Sequence, residues 1–305
     1  MPEGDTIHRT AETMRRALAG KLVTAFDVCK ALQAGIGPAE KVVGRTVVAV
    51  EPRGKHMLVL FRSAGGDKDD TVPNNLGLDL REGDLVLHTH LRMNGEWHVY
   101  RPGERWWKSA QRSRVAIYTA ELVAPCFDAP VIELLTARAT VRHPALVSLG
   151  PDLMDEGFDV RAATERIIRR RDLEIGVALL DQRALAGVGN VYKSEALFLQ
   201  RISPFVKVGS IPEATLERLV TECHRLLRMN HKRGKRKTRG SLKEDERLWV
   251  YGRGGDPCTE CGEPIDSRTQ GDDRRVTFFC RCCQSVGGAK AKSQRETRST
   301  GKRAG

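Results

Sequence analysis

Ile7, Ala11, Met14 and Leu18 recur at a helical interval, and Gly20 supplies a stop, so the chain is expected to open with an amphipathic helix. Strand-like segments follow at 46–50, 56–61, 85–89, 96–100, 114–118 and 131–135. Several alternate apolar with polar, and Gly, Asp and Pro clusters separate them. The polar stretch 63–75 reads as a loop. From Val160 the period returns to helical, and 161–171, 174–181, 192–200 and 213–230 are predicted helices. The expected division is a β-rich domain over 1–150, a helical domain over 151–245, a cysteine-bearing module over 246–286 and a disordered basic tail over 287–305. The basic run 231–239 is expected to be mobile or to lie against phosphate. The fold class is α+β multidomain: a β-sandwich or barrel carrying an N-terminal helix, then a helical domain.

Hydrophobic residues make up 40% of the 305 residues and charged residues 30%, enough for sizeable cores beneath a solvated surface. Glu3, Asp5, Arg9 and Glu12 interrupt the first apolar residues, so no export signal is read. No apolar run approaches the roughly 20 residues of a membrane span. A cytoplasmic protein is the expectation. The net charge of +12 favours a polyanionic partner, because each Lys or Arg placed on a phosphate releases condensed counterions. Nucleic acid fits that charge; a ribosome, an acidic membrane face or a basic surface with no ligand fits it too.

The eight cysteines are unevenly spread: 29, 126 and 223 are scattered, whereas 258, 261, 280, 282 and 283 crowd together. Cys258-Thr-Glu-Cys261 and Cys280-Arg-Cys-Cys283 are two C-x-x-C knuckles with eighteen residues between them. Four thiolates at that spacing suit one tetrahedral structural Zn2+ in a two-stranded ribbon, with an iron–sulfur cluster as the alternative. Cys282 is left out because Cys283 keeps the knuckle spacing. Arg268, Arg274 and Arg275 surround this ribbon and make it a candidate phosphate-contacting finger. The turn Leu185-Ala-Gly-Val-Gly-Asn190 separates two predicted helices, with Asn190 expected as an N-cap. It is either an anion site at a helix start or an ordinary helix–turn–helix corner. His88, His90 and His98 do not read as a metal cluster, because no carboxylate pattern accompanies them.

Five segments in this order resemble the formamidopyrimidine-DNA glycosylase / endonuclease VIII family. They are Met1-Pro2-Glu3-Gly4-Asp5, Arg53-Gly54-Lys55-His56, His90-Leu91-Arg92-Met93-Asn94-Gly95, the run from Leu179 to Tyr192, and Val250-Tyr251-Gly252-Arg253 leading into Cys258. The resemblance covers roughly residues 1–285. His143-Pro144 through Leu149-Gly150-Pro151-Asp152-Leu153 leans toward the endonuclease VIII branch, of actinobacterial type. It implies a β-sandwich, a helix–two-turns–helix domain and a C-terminal zinc-ribbon finger.

The resemblance also implies an activity: a bifunctional DNA glycosylase and abasic-site lyase of base excision repair. Pro2, exposed once Met1 is removed, would be the nucleophile, forming a Schiff base and cleaving the strand by β,δ-elimination. An α-amino group titrates near pH 8, against roughly 10.4 for a lysine, so far more of it is neutral and nucleophilic at pH 7. Glu3 would be the acid–base partner, Lys55 would contact phosphate and assist elimination, and Arg275 would grip phosphate from the finger. Met93 would fill the gap left by the flipped nucleotide, with Arg92, His90 and Asn190 as further DNA contacts; the alternative for Met93 is a core position. The implied partner is double-stranded DNA with a damaged base or an abasic site, single strands being a further substrate form, and the implied state is a monomer. No Arg-Phe-Gly loop of the 8-oxoguanine branch is found, and Arg92-Met93-Asn94 departs from the endonuclease VIII wedge, so lesion preference is left open, with oxidised pyrimidines the first expectation and abasic sites the other. A non-catalytic DNA-damage-binding protein on the same scaffold is the alternative.

Overall fold

The computed structural model describes residues 2–33, 35–37, 39–64, 70–232, 234–240 and 247–285. The tail expected over 287–305 and most of the loop tip after Arg62 lie outside the described residues. The chain divides into two compact units, Met1–Met154 and Asp155–Gly305.

In the first unit α1 (Gly4–Leu18) precedes eight strands. They are β1 (Ala25–Val28), β2 (Thr46–Arg53), β3 (His56–Arg62), β4 (Leu85–His90), β5 (Glu96–Trp97), β6 (Ser113–Tyr118), β7 (Val123–Phe127) and β8 (Val131–Thr136). The short helices α2 (Lys30–Gln33), α3 (Ala137–Thr140) and α4 (Pro144–Val147) connect or follow them. Two antiparallel sheets form, ordered β1-β6-β7-β5 and β2-β3-β4-β8. Val47, Val50, Met57, Val59, Phe61 and Leu87 of one and Val115, Ile117, Ala124 and Cys126 of the other share one core. The buried stripe of α1, namely Ile7, Ala11, Met14 and Leu18, inserts into that core, which fixes the helix and the residues just before it. The opposite face of the second sheet, through Leu58, Leu60 and Val86, packs on Val72, Leu78, Leu80 and Leu146. This sheet is therefore covered on both sides.

The second unit holds α5 (Val160–Ile168), α6 (Ile175–Ala178), α7 (Asn190–Leu199) and α8 (Glu213–Met229), then the hairpin β9 (Asp266–Gln270) and β10 (Arg275–Phe279). The helix expected over 174–181 is a single turn. The backbone N–H groups of Ile175 and Gly176 turn aside to the carbonyls of Val206 and Pro204, at 2.8 and 3.0 Å. The basic run after α8 is folded back by Asn230, whose amide accepts from Lys237 N and donates to Lys237 O, both at 2.8 Å.

Candidate active site

Glu3 is the N-cap of α1, and its carbonyl accepts from the N–H groups of Thr6 and Ile7 at 2.9 and 3.0 Å. Pro2 is half-buried before it, and Glu3 is fully buried.

Lys55 occupies the two-residue turn between β2 and β3, where Gly54 takes φ 57° and Arg53 pairs with His56. The buried carboxylate of Asp152 holds this turn. One of its oxygens accepts from Gly54 N at 2.6 Å and from His8 Nε2 of α1 at 3.3 Å. Its other oxygen accepts from Met154 N at 3.0 Å. Burial alone would raise the Asp152 pKa. The His8 imidazole and the two backbone N–H groups outweigh that and hold it below the usual aspartate range. One carboxylate thus ties the helix that follows Pro2 and Glu3 to the turn that presents Lys55.

His90 ends β4 directly opposite His56 in register, so it neighbours the Lys55 turn. Its Nδ1 accepts from Arg92 N at 3.1 Å, which leaves its proton on Nε2. Burial foremost, with the charges of Arg92 and Lys55, pushes His90 down to about 4. His56 is pushed down to about 2, by burial first and by its imidazole neighbours second. Both rings are neutral donors and acceptors at pH 7. After His90 the chain makes a tight turn: Arg92 sits at φ 50°, and Gly95 N donates back to Leu91 O at 2.8 Å. A Cβ on Gly95 would meet that carbonyl at 2.5 Å, so only glycine closes the turn. Met93 at its tip is 53% exposed, which removes the reading of Met93 as a core residue.

In the second unit the turn before α7 is organised by Gln182. Its carbonyl accepts from Gly187 N at 3.0 Å, and its amide donates to Leu180 O and Val188 O. Gly187 takes φ 101°. Asn190 is not the N-cap as expected: Gly189 is, and Asn190 is the first residue of α7. Its side chain points to the hairpin instead, where Asn190 Nδ2 donates to Val276 O at 2.6 Å. Asn190 Oδ1 is buried without a hydrogen-bond partner in the structure.

Three residues that the sequence reading passed over lock the same junction. The ammonium of Lys193 donates to Thr277 Oγ1 at 2.6 Å, and that hydroxyl donates to Gln270 Oε1 at 2.9 Å. Gln270 Nε2 then donates to Glu174 Oε2 and Pro204 O, both at 2.8 Å. Lys193 is wholly buried, and a lysine in the middle of an otherwise apolar helix face was the available signal. Arg275, half-buried, begins β10 opposite Gln270. The buried carboxylate of Glu195 likewise receives the N–H groups of Trp249, Val250 and Tyr251 at 2.8–2.9 Å, anchoring the segment that enters the finger.

Cys258, Cys261, Cys280 and Cys283 converge, with all four sulfurs within 4.8 Å of one another. Cys258 and Cys283 lie 3.9 Å apart, and Cys261 and Cys280 3.5 Å. Metal–sulfur bonds of about 2.3 Å in a tetrahedron require sulfurs roughly 3.8 Å apart, so the set fits a thiophilic cation. The four can coordinate a metal. Cys282 is exposed and outside this set.

The chain matches the formamidopyrimidine-DNA glycosylase N-terminal domain over residues 1–128 and the formamidopyrimidine-DNA glycosylase H2TH domain over 149–241. It is 38% identical over 288 residues to a probable endonuclease 8 2 of Streptomyces coelicolor, covering 93% of this chain and 94% of that one. It is 33% identical to the DNA-(apurinic or apyrimidinic site) lyase Nei2 of Mycolicibacterium smegmatis, covering 94% of this chain and all of that one. Among solved structures, the MutM (Fpg) protein of Thermus thermophilus superposes with a TM-score of 0.72 at 25% identity, over 93% of this chain and 98% of that one. An Fpg of Lactococcus lactis solved with a damaged-base DNA has the same fold, at a TM-score of 0.72 and 22% identity, over 93% of this chain and all of that one.

Proposed function

Because this chain belongs to the formamidopyrimidine-DNA glycosylase / endonuclease 8 family of DNA glycosylases and abasic-site lyases, we propose that it excises oxidised pyrimidines and cleaves the strand through a Schiff base on Pro2. The observation that carries this reading is the Asp152 bridge, which joins the α1 start, with Pro2 and Glu3, to the Lys55 turn. The partner is DNA holding a damaged base or an abasic site. Among the described residues no helix is long and apolar enough to cross a membrane.

With Met1 removed, the secondary amine of Pro2 attacks the sugar C1′, and the bond from C1′ to the base breaks, the base leaving with the proton that the amine gives up. Glu3 delivers a proton to the ring oxygen as the ring opens, leaving a cationic iminium between Pro2 and C1′. That cation draws electrons from the C2′–H bond. Loss of the C2′ proton expels the 3′ phosphate, and a second elimination expels the 5′ phosphate. Lys55 and Arg275 neutralise the phosphates as they leave. Neutral His90 offers Nε2–H to a phosphate oxygen, and Arg92 and Asn190 add backbone contacts. Met93 enters the stack in place of the flipped nucleotide.

Residues 1–150 carry the chemistry in this reading, 151–245 a helix–two-turns–helix DNA-binding segment, and 246–286 a zinc finger. The Cys258, Cys261, Cys280, Cys283 set holds Zn2+ closed by four thiolates, so this ion folds the hairpin and supplies no open position for chemistry. The absence of an Arg-Phe-Gly loop supports oxidised pyrimidines over 8-oxoguanine in this reading.

Borohydride trapping on duplex DNA with an abasic site tests the mechanism. The native chain should form a covalent adduct, and Pro2→Gly or an N-terminally tagged chain should lose it. A folded protein that binds this DNA without an adduct would instead be a non-catalytic damage binder. Lesion choice is tested separately, by comparing excision of thymine glycol and 8-oxoguanine from matched duplexes.

A further inference from the structure

We propose that His88, Glu133 and His143 form a second metal site, for a divalent cation of the zinc class, separate from the four-cysteine cluster. The inference rests on unit 1 alone and is independent of the functional reading above. His88 on β4 and Glu133 on β8 are direct cross-strand partners, so their side chains leave the same face of the sheet. His143, the N-cap of α4, reaches the same carboxylate from the connection that covers this face. Glu133 Oε2 lies 2.7 Å from His88 Nδ1 and 3.1 Å from His143 Nε2, and all three ligand atoms are within 4.8 Å of one another.

Two imidazole nitrogens and one carboxylate oxygen are a borderline-soft donor set suited to zinc, at bond lengths of about 2.0–2.2 Å. A cation at those distances spaces neighbouring ligand atoms by roughly 3.4 Å, wider than the 2.7 and 3.1 Å contacts to Glu133, so the exposed carboxylate has to draw back from the two imidazoles to admit it. His88 is 1% exposed and fixed in place, whereas the Glu133 side chain is 43% exposed. The site is therefore reachable from solvent on its Glu133 side.

The surroundings also supply the orientation a metal-bound histidine requires. His88 Nε2, the nitrogen that would face away from the cation, lies 2.8 Å from His56 Nδ1. With Nδ1 on the metal, the His88 proton moves to Nε2 and is donated to His56, fixing ring and tautomer together. His143 Nδ1 has no hydrogen-bond partner in the structure, so only the Glu133 contact holds this ring's proton on Nε2. The cation replaces two N–H···O bonds by three coordinate bonds. It ties together β4, β8 and the α3–α4 connection, two residues before His90.

The spacing of the histidines in sequence hides this site. Its carboxylate comes from a strand 45 positions after His88. His98, the third histidine of the sequence cluster, is instead turned to Glu96 and Tyr100, at 3.2 and 2.8 Å.

The test is the metal content of the full chain, purified in zinc and desalted. Two zinc ions per chain are expected in the native protein, and one in His143→Ala and in Glu133→Gln, the second variant guarding against a folding defect in the first. Cobalt substitution separates the sites by colour: the cysteine site gives strong sulfur-to-metal charge-transfer bands. The proposed site adds weaker bands without sulfur character, and these should vanish in both variants. One zinc per chain in the native protein, or two that survive in both variants, would overturn the proposal and leave a metal-free hydrogen-bonded row.

Discussion

The ammonium of Lys193, on α7, donates to the hydroxyl of Thr277, on β10, at 2.6 Å in a wholly buried setting. With the bond from Asn190 Nδ2 to Val276 O, that contact joins the helix begun by Asn190 to the hairpin begun by Arg275. Thr277→Val keeps the shape but removes this acceptor for the charge and the donor for Gln270. A lost hydrogen bond to a buried charged group costs about 1.5–3 kcal/mol. Urea unfolding of the second unit should register that loss. Lys193→Met in the same chain should recover much of it, because the charge that needed the hydroxyl is gone. Additive losses in the double variant would mean that the two groups are not coupled.

Asp152 sets a pH dependence whose sign follows from its shift. Its folded pKa lies below the ordinary aspartate value of about 3.9. The stability it contributes is therefore fully present above that value and is lost as pH falls through the lower folded pKa. Native protein should lose stability steeply below roughly pH 4, and Asp152→Asn should be less stable at pH 7 with a flatter acid limb. Elimination at abasic sites should slow in the same variant, since the Lys55 turn loses its anchor. Denaturant melts from pH 2.5 to 7 decide the first point: parallel curves for the two proteins would reject it.

How far the sequence reached is clearest at particular residues. The α1 stripe, the β2–β3 and β4 segments and both cysteine knuckles were readable because period and spacing are local properties. β7 (Val123–Phe127) escaped because Pro125 lies inside it, and a proline argues against a central strand. Here the segment after β5 continues the pairing past Pro125, which lacks an N–H and takes part through its carbonyl, accepting from His98 N at 3.1 Å, before Tyr100 and Val123 exchange both backbone bonds at 2.8 Å. Asn190 was legible as important but its bond was not, because its acceptor, Val276 O, lies 86 positions away. Asp152 and Lys193 act through partners equally remote, Gly54 and Thr277, and no local pattern marks such contacts.

Met93 separates binding from folding. It is exposed at the tip of a turn closed by Gly95, so Met93→Ala should change stability by no more than about 0.5 kcal/mol. Excision from duplex DNA should fall about tenfold, the equivalent of roughly 1.4 kcal/mol of lost wedge contact. The same lesion in single-stranded DNA needs no gap filled and should be processed at the native rate. Equal losses on both substrates would place Met93 elsewhere in the reaction. Gly95→Ala should be the more damaging change to the protein itself, because its Cβ collides with Leu91 O.

Metal removal should act on one part of the molecule and spare another. The finger's own core is small: Phe198, Val250 and Ile265 pack with Cys258, Cys280 and Cys283. A hairpin of five-residue strands with so little apolar surface should need a metal on the four cysteines for its fold. Cys261 is the exposed member of the set, so Cys261→Ser removes a ligand while perturbing packing least. Chelation, or this substitution, should make 255–285 sensitive to protease and abolish tight DNA binding through loss of Arg275. The β-sandwich should survive, because its core contains none of these residues. Limited proteolysis before and after chelation reads both halves at once. Loss of the 1–154 unit together with the hairpin in Cys261→Ser, which leaves the His88, Glu133 and His143 set untouched, would show that the cysteine metal sustains far more than the finger.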